Sequence, residues 1–259
     1  MVSLAQPRQV DCERNEVAWW SNWADVAWFG SGAWLMTTSK FPEYFLNRGG
    51  ILDCKSARRL NDIEESMIRR RLVPHFFIQE GCKETIRSML GSGYERVDDM
   101  AVMTPMAPRL HEIESLRVEA ATGVGADEWA RTYLRSFYPD LSLLPAVKGT
   151  LRAMQGVRQK TLLLGRIGGE AAGVLALFRT PGLLGVYCVG TVPEFRGRGV
   201  AASMLSAAQR TGDSERRQMI LQTIRSDGYE PYYTARGFKR LYTKALLRKD
   251  RHHSRETHA

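Results

Sequence analysis

The sequence predicts a mixed α/β (α+β) fold: a central, mostly antiparallel sheet flanked by helices, with a smaller α/β domain at the N-terminus. Three observations lead there. Three apolar runs, 161–167, 171–178 and 183–192, follow one another with only short glycine-bearing turns between them, as in an antiparallel meander. The third run passes through a glycine-rich stretch straight into a helical pattern. Strand and helix patterns alternate on both sides of that stretch, which is how helices come to pack on a sheet.

The elements follow in chain order. Trp19, Trp20, Trp23, Trp28 and Trp34 crowd one short stretch and are read as core or domain interface, because large aromatic faces gain most from burial. Residues 58–71 carry an amphipathic helical pattern that stops before Pro74; 75–79 is an apolar strand. A helix over 83–90 closes at Gly91-Ser92-Gly93, and 98–103 ends this half as a strand. Pro105 and Pro108 mark a linker, which places a boundary near residue 112. The expected domains are therefore 1–112, 113–250 and a polar tail over 251–259, whose histidines are expected to be solvated.

The second half opens with alternation at Leu116, Val118 and Ala120, a strand over 115–122. Trp129, Tyr133 and Phe137 sit at helical spacing in 126–138, and 143–154 is a second helix. Gly168-Gly169-Glu170 and Pro181-Gly182 turn the meander. A helix over 200–211 ends at Gly212, a strand follows over 218–224, and a short helix over 229–236 is closed by Gly237 before a last strand over 238–247.

Composition bounds the function. The 259 residues suffice for one large or two small domains, and 44% hydrophobic with 25% charged residues is a globular balance. A net charge of +9 favours anionic partners: nucleic acid, a membrane surface or a phosphorylated cofactor. Cys12, Cys54, Cys82 and Cys188 show no metal or disulfide spacing, so free thiols in a reducing cytoplasm and no metal are expected. The N-terminus lacks the basic and apolar regions of a signal peptide, and no run reaches the ~18 apolar residues of a membrane span. A cytoplasmic protein without a membrane partner is the expectation.

The chemistry concentrates in 184–202. An apolar strand carrying Gly190, Thr191 and Val192 runs through Pro193-Glu194-Phe195 into Arg196-Gly197-Arg198-Gly199, and Val200 and Ala201 begin a helix. Glycines allow a tight turn and bring amides close to a ligand. The first amides of a helix have no internal partners and its dipole favours an anion, each such contribution being ~0.3–1 kcal/mol. Arg196 and Arg198 add charge beside the same anion. The pattern is neither the nucleoside-triphosphatase loop nor the dinucleotide fingerprint.

This order of strand, Pro-Glu-Phe, Arg-Gly-x-Gly-x-Ala and helix resembles the cofactor segment of the GNAT superfamily of N-acetyltransferases, whose Arg/Gln-x-x-Gly-x-Gly/Ala signature is matched by Arg196, Gly199 and Ala201. A second match lies downstream, where Tyr233 stands four residues before Gly237-Phe238. The resemblance covers roughly 115–248. It departs at Ser226, where many members carry an asparagine.

The resemblance implies an acetyl-CoA cosubstrate and transfer of its acyl group to a primary amine, on a small molecule or a peptide, by direct attack in a ternary complex. It implies that Gly190, Thr191 and Val192 pair with the pantetheine arm, with Gly190 taken for a bulge and a strand amide polarising the thioester. It implies that Arg196, Gly197, Arg198, Gly199, Val200 and Ala201 hold the pyrophosphate, that Ser226 assists, and that Tyr233 protonates the leaving thiolate, with Tyr232 its rival. Glu194 and Glu230 lack a supporting constellation as general base, and Cys188 has no histidine near it in sequence. The N-terminal half resembles a silent second copy: Gly91-Ser-Gly-Tyr94 and 75–79 echo Arg236-Gly-Phe238 and the strand before it, and its implied task is to wall the amine cleft. A non-catalytic acyl-CoA sensor is the alternative. RNA binding through Arg196–Gly199 and the basic stretch 236–251 is disfavoured, because the strand-to-helix turn already explains those glycines. The oligomeric state stays open, a homodimer included.

Overall fold

A computed structural model describes residues 6–106, 108 and 110–249; the expected tail over 251–259 lies outside them. In chain order the elements are α1 (Gln9–Trp20), β1 (Asp25–Phe29), β2 (Ala33–Thr37), β3 (Arg48–Ile51), α2 (Leu60–Arg69), β4 (His75–Gln79), α3 (Lys83–Gly91) and β5 (Glu95–Pro105). They continue with β6 (Leu116–Ala120), α4 (Val124–Phe137), α5 (Leu144–Ala153), β7 (Lys160–Ile167), β8 (Glu170–Thr180), β9 (Leu183–Thr191), α6 (Val200–Ser214), β10 (Gln218–Ile224), α7 (Glu230–Ala235) and β11 (Phe238–Arg248).

These elements gather into two compact units that do not follow the expected cut near residue 112. Of the described residues, the first takes 6–22, Thr104–Gln222 and Tyr233–Lys239. The second takes Trp23–Met103, Thr223–Tyr232 and 240–249. Pro105, read as linker, is the last residue of β5.

In the first unit the strands run in the order β10-β9-β8-β7-β6, antiparallel except for the parallel pair β9 and β10. Helix α6 is the crossover that a parallel pair requires. Trp129, Leu164, Val174, Leu175, Met204 and Leu205 are fully buried, each aliphatic side chain contributing about 1.5–3 kcal/mol. The Trp129 indole also donates to Leu175 O at 3.3 Å, tying α4 to β8.

In the second unit the order is β1-β2-β3-β4-β11-β5, with β3 and β4 parallel and α2 as crossover. Leu35, Ile51, Ile63, Met67, Phe76, Ile78 and Leu247 form its main core. The fully buried Arg48 lays its guanidinium 4.0 Å from the Phe77 ring centre and 4.1 Å from that of Phe45, so aromatic faces replace part of its hydration. The succession strand, helix, parallel strand, helix thus occurs in β3–α2–β4–α3 and again in β9–α6–β10–α7.

Two expectations are corrected here. Cys54 and Cys82 are bonded as a disulfide, not free; the turn after β3 and the start of α3 bring their Cα atoms to 5.2 Å, within bridging range. Cys12 and Cys188 remain as free thiols. Trp28 is half exposed on β1, whereas Trp19, Trp20, Trp23 and Trp34 are buried.

Candidate functional site

The pairing of β9 changes on both of its sides along its length. Its pairing with β10 runs from Leu183 opposite Gln218 to Val186 opposite Leu221 and goes no further. On its other side it pairs with β8, but Ala176 faces Tyr187 while Val174 faces Gly190. One residue, Leu175, therefore opposes two, Cys188 and Val189: a β-bulge. Cys188 takes φ of 54°, a left-handed conformation uncommon for a residue with a side chain. The bulge lies at Cys188–Val189 and not at Gly190. Gly190 has another reason to be glycine, since a Cβ there would stand 2.7 Å from Ser136 Cβ and 2.8 Å from Phe137 Cε2 of α4. Beyond Val186 the backbone of β9 is thus released from β10 and re-aimed by the bulge.

Past β9, Val192 is fully buried and its amide donates to Ala172 O at 3.1 Å, which fixes the start of the loop. Pro193–Phe195 form a single 3-10 turn, with Phe195 tucked in and the Arg198 guanidinium 5.4 Å from its ring centre. Gly197 and Gly199 take φ of 75° and 83°, and a Cβ on Gly197 would meet nothing within 4 Å, so the loop surface there is open. Helix α6 then begins at Val200 with no side chain capping its N-terminus. Its first amides are left for a ligand. Ile113 flanks the turn, its Cγ2 lying 3.1 Å from where a Gly199 Cβ would be.

The two loop arginines differ in role. Arg196 donates from Nε to Thr191 O at 3.2 Å and from Nη2 to Ser136 O at 2.9 Å, so it fastens the loop to β9 and to the end of α4. Arg198 is exposed beside the helix start. Glu194 is ion-paired with Arg135 at 2.9 Å, and a backbone hydrogen bond together with that arginine hold its carboxyl below the usual range. That is the wrong direction for a base working near neutral pH. Glu230 is paired with Arg240. Burial pushes the Cys188 thiol well up, which disfavours the thiolate that a nucleophile requires.

Tyr233 falls in the same unit as this loop, 8% exposed, and packs edge-on against Phe238 with ring centres 5.7 Å apart. Its neighbour Tyr232 is half-buried and belongs to the other unit. Ser226 also belongs to the other unit; it is exposed and its amide donates to Asp98 Oδ1 at 3.3 Å. The structure so brings Gly190, Thr191, Val192, the 196–201 loop and Tyr233 into one unit and leaves Ser226 out of it. Sequence reasoning missed Asn15. Tyr187 OH donates to Asn15 Oδ1 at 2.6 Å, and Asn15 Nδ2 donates to Thr180 Oγ1 at 2.8 Å and Phe178 O at 3.2 Å, so α1 braces β9 one residue before the bulge. Among the described residues no group of three or more His, Cys, Asp or Glu could hold a metal, and no helix is long and apolar enough to cross a membrane.

A strand that parts from its parallel neighbour, carries a bulge and delivers a glycine loop to an uncapped helix can be compared with solved structures. A GCN5-related N-acetyltransferase from Kribbella flavida superposes with a TM-score of 0.69 at 13% identity, over 95% of this chain and 96% of that one. The fold is that of the GNAT acetyltransferases. A GCN5-related N-acetyltransferase from Sphaerobacter thermophilus gives a TM-score of 0.59 at 19% identity, covering 86% of this chain and 82% of that one. A functionally unknown conserved protein from Staphylococcus epidermidis gives 0.64 at 13% identity, covering 87% and 94%. No protein-family model and no curated protein matches the chain in sequence. At these identities the likeness is one of GNAT fold, and what this chain does has to be argued from its own residues.

Proposed function

We propose that this protein is an acetyl-CoA-dependent N-acetyltransferase that moves the acyl group to a primary amine of a small molecule or peptide by direct attack in a ternary complex. One observation carries the reading: β9 is freed from β10 after Val186 and leads through Thr191 and Val192 into the uncapped, glycine-opened start of α6. Such a path offers strand backbone to an extended amide-bearing arm and helix amides to a diphosphate at its end. Coenzyme A has those two parts, in that order.

In this reading Gly197, Arg198, Gly199, Val200 and Ala201 hold the pyrophosphate, with Arg198 supplying charge and Arg196 keeping the loop in place. Backbone of Gly190, Thr191 and Val192 pairs with the pantetheine arm. An amide of the bulged strand polarises the thioester carbonyl, an oxyanion-type role. Tyr233 protonates the departing thiolate. A primary amine with a pKa near 10.4 is neutral in only about one molecule in a thousand at pH 7, a cost of ~4–5 kcal/mol. Glu194 and Glu230 are both engaged by arginines, and no general base is assigned. The β3–α2–β4–α3 succession is read as a silent second copy: its loop over 53–59 has no glycine, and Cys54 within it is tied to Cys82. The cytoplasmic location expected from the sequence is kept as part of this proposal.

The test is thiol release from acetyl-CoA over a panel of polyamines, amino acids, aminoglycosides and peptides. At least one amine should release coenzyme A, and Tyr233→Phe should lower kcat about 10²-fold or more with KM for acetyl-CoA nearly unchanged. Tight acetyl-CoA binding without turnover on any amine, or full activity in Tyr233→Phe, would favour the sensor reading or remove the acid, respectively.

A further inference from the structure

A polar cleft of about 340 Å³ lies wholly within the second unit. Arg96 and Asp99 of β5, Arg225 from the turn after β10, Glu230 at the start of α7, Arg240 of β11 and Glu80 after β4 line it. Its size is that of a small-molecule site. Its walls are unlike a hydrophobic pocket, with Ala101 as the apolar floor and Thr243 adding a hydroxyl.

The centre of the arrangement is Asp99, which is 8% exposed. It accepts from Arg96 Nε at 2.6 Å and from Arg225 Nη1 at 3.0 Å, one guanidinium on each oxygen. Arg96 reaches on to Glu80 through Nη2. Across the cleft Arg240 donates from Nε to Glu230 Oε1 at 2.6 Å. Backbone bonds hold the frame: Glu80 N donates to Thr243 O at 2.9 Å, and Asp98 accepts from the amides of Asp99 and Ser226. A guanidinium carries five N–H donors, and Arg225 commits one of its nitrogens to Asp99 while Arg240 keeps Nη1 outside its pair with Glu230. Asp99 and Glu230 each engage one side of an arginine, so a ligand carboxylate meets guanidinium groups that are already partly oriented.

The lining is balanced, three arginines against three carboxylates. An uncompensated basic patch would draw polyanions; a balanced one favours a ligand that carries both signs itself. We propose that this cleft binds a small zwitterion bearing a carboxylate and an ammonium group, of the amino-acid class. Its carboxylate sits at Arg225 and Arg240, and its ammonium at Glu80. The inference does not depend on acyl transfer, and its test is run without acyl-CoA.

The full chain, labelled with ¹⁵N, is titrated with glycine, L-serine and L-glutamate while the arginine Nε–H signals are followed. Sodium acetate and methylammonium chloride serve as half-ligands, and inorganic phosphate and sodium chloride as ionic controls. At least one amino acid should shift the Arg96, Arg225 and Arg240 signals saturably, and each half-ligand should bind roughly tenfold or more weaker, as loss of a charged hydrogen bond implies. Arg225→Ala, a change at an exposed side chain, should weaken that binding about tenfold, and Arg58→Ala should leave it unchanged. No saturable shift with any amino acid overturns the proposal and leaves an ion-pair network that serves stability alone. So does phosphate or acetate binding as tightly as the amino acids, or binding that survives Arg225→Ala in a chain whose unfolding temperature is intact.

Discussion

The Tyr187 hydroxyl donates a 2.6 Å hydrogen bond to Asn15 Oδ1, and the two residues are 172 positions apart in the chain. Trp19 stacks on the same tyrosine ring at 5.1 Å, so one helix face grips β9 immediately ahead of the Cys188 bulge. Strand β9 is held by a helix that composition and periodicity do not connect with it. Asn15→Ala removes the acceptor of the buried Tyr187 hydroxyl and a donor to the Phe178 carbonyl, which should cost about 1–3 kcal/mol. Combined with Tyr187→Phe, the loss should fall short of the sum of the single losses by about 0.5 kcal/mol or more. Denaturant unfolding of the four proteins measures this, and strict additivity would contradict the bond.

Burial raises the Cys188 thiol well above its ordinary value, and the Tyr187 phenol with it. An acid whose native pKa is raised gives up its proton more readily when unfolded. Its contribution to stability is intact below the unfolded pKa, ~8.5 for a thiol, and is lost as pH climbs above it. Stability should therefore decline from about pH 8.5 upward, and Cys188→Ala should decline less steeply over that range. Equal slopes in denaturant melts at about pH 7 and about pH 9.5 would show that Cys188 is not protected as described.

The Cys54–Cys82 bond closes a loop of 28 residues in the second unit, a cross-link worth ~3–4 kcal/mol in the chain-entropy account. Two thiols, Cys12 and Cys188, should titrate in denaturant before reduction, and all four cysteines after it. Reduction should also lower the unfolding temperature. Four thiols titrating at the outset would refute the pairing.

How far the fold could be read beforehand depended on local signals. The meander β7–β8–β9 was legible because glycine turns punctuate apolar runs, and the 196–201 loop because glycines, arginines and a helix start are contiguous. Helix α1 was not, since Cys12, Glu13, Asn15, Glu16, Val17, Trp19 and Trp20 are all buried and leave no polar face to reveal the period. Strand β3 reads Arg-Gly-Gly-Ile, a poor strand former; Gly49 and Gly50 are there because Cβ atoms would stand 2.6 Å from Phe76 and 2.3 Å from Trp34. The bulge was expected at Gly190 and not at Cys188–Val189 because Cys188 occupies a conformation usually left to glycine. The disulfide and the charged cleft join residues far apart in the chain, and no spacing announces them. The exchange of Thr223–Tyr232 and 240–249 into the second unit is likewise a product of topology.

The account stands most directly on whether the loop before α6 binds acetyl-CoA, and thermal unfolding with and without that ligand measures it. At about a hundred times its Kd a ligand of the native state adds ~2.7 kcal/mol, which for a chain of this size raises Tm by roughly 2–4 °C per kcal/mol. Gly199→Val should fold and yet lose that rise, because a β-branched residue is strained at φ of 83° and its Cβ would press on Ile113. A clear rise in the parent protein and none in Gly199→Val is the predicted result; an unchanged Tm at saturating acetyl-CoA would contradict the proposed function.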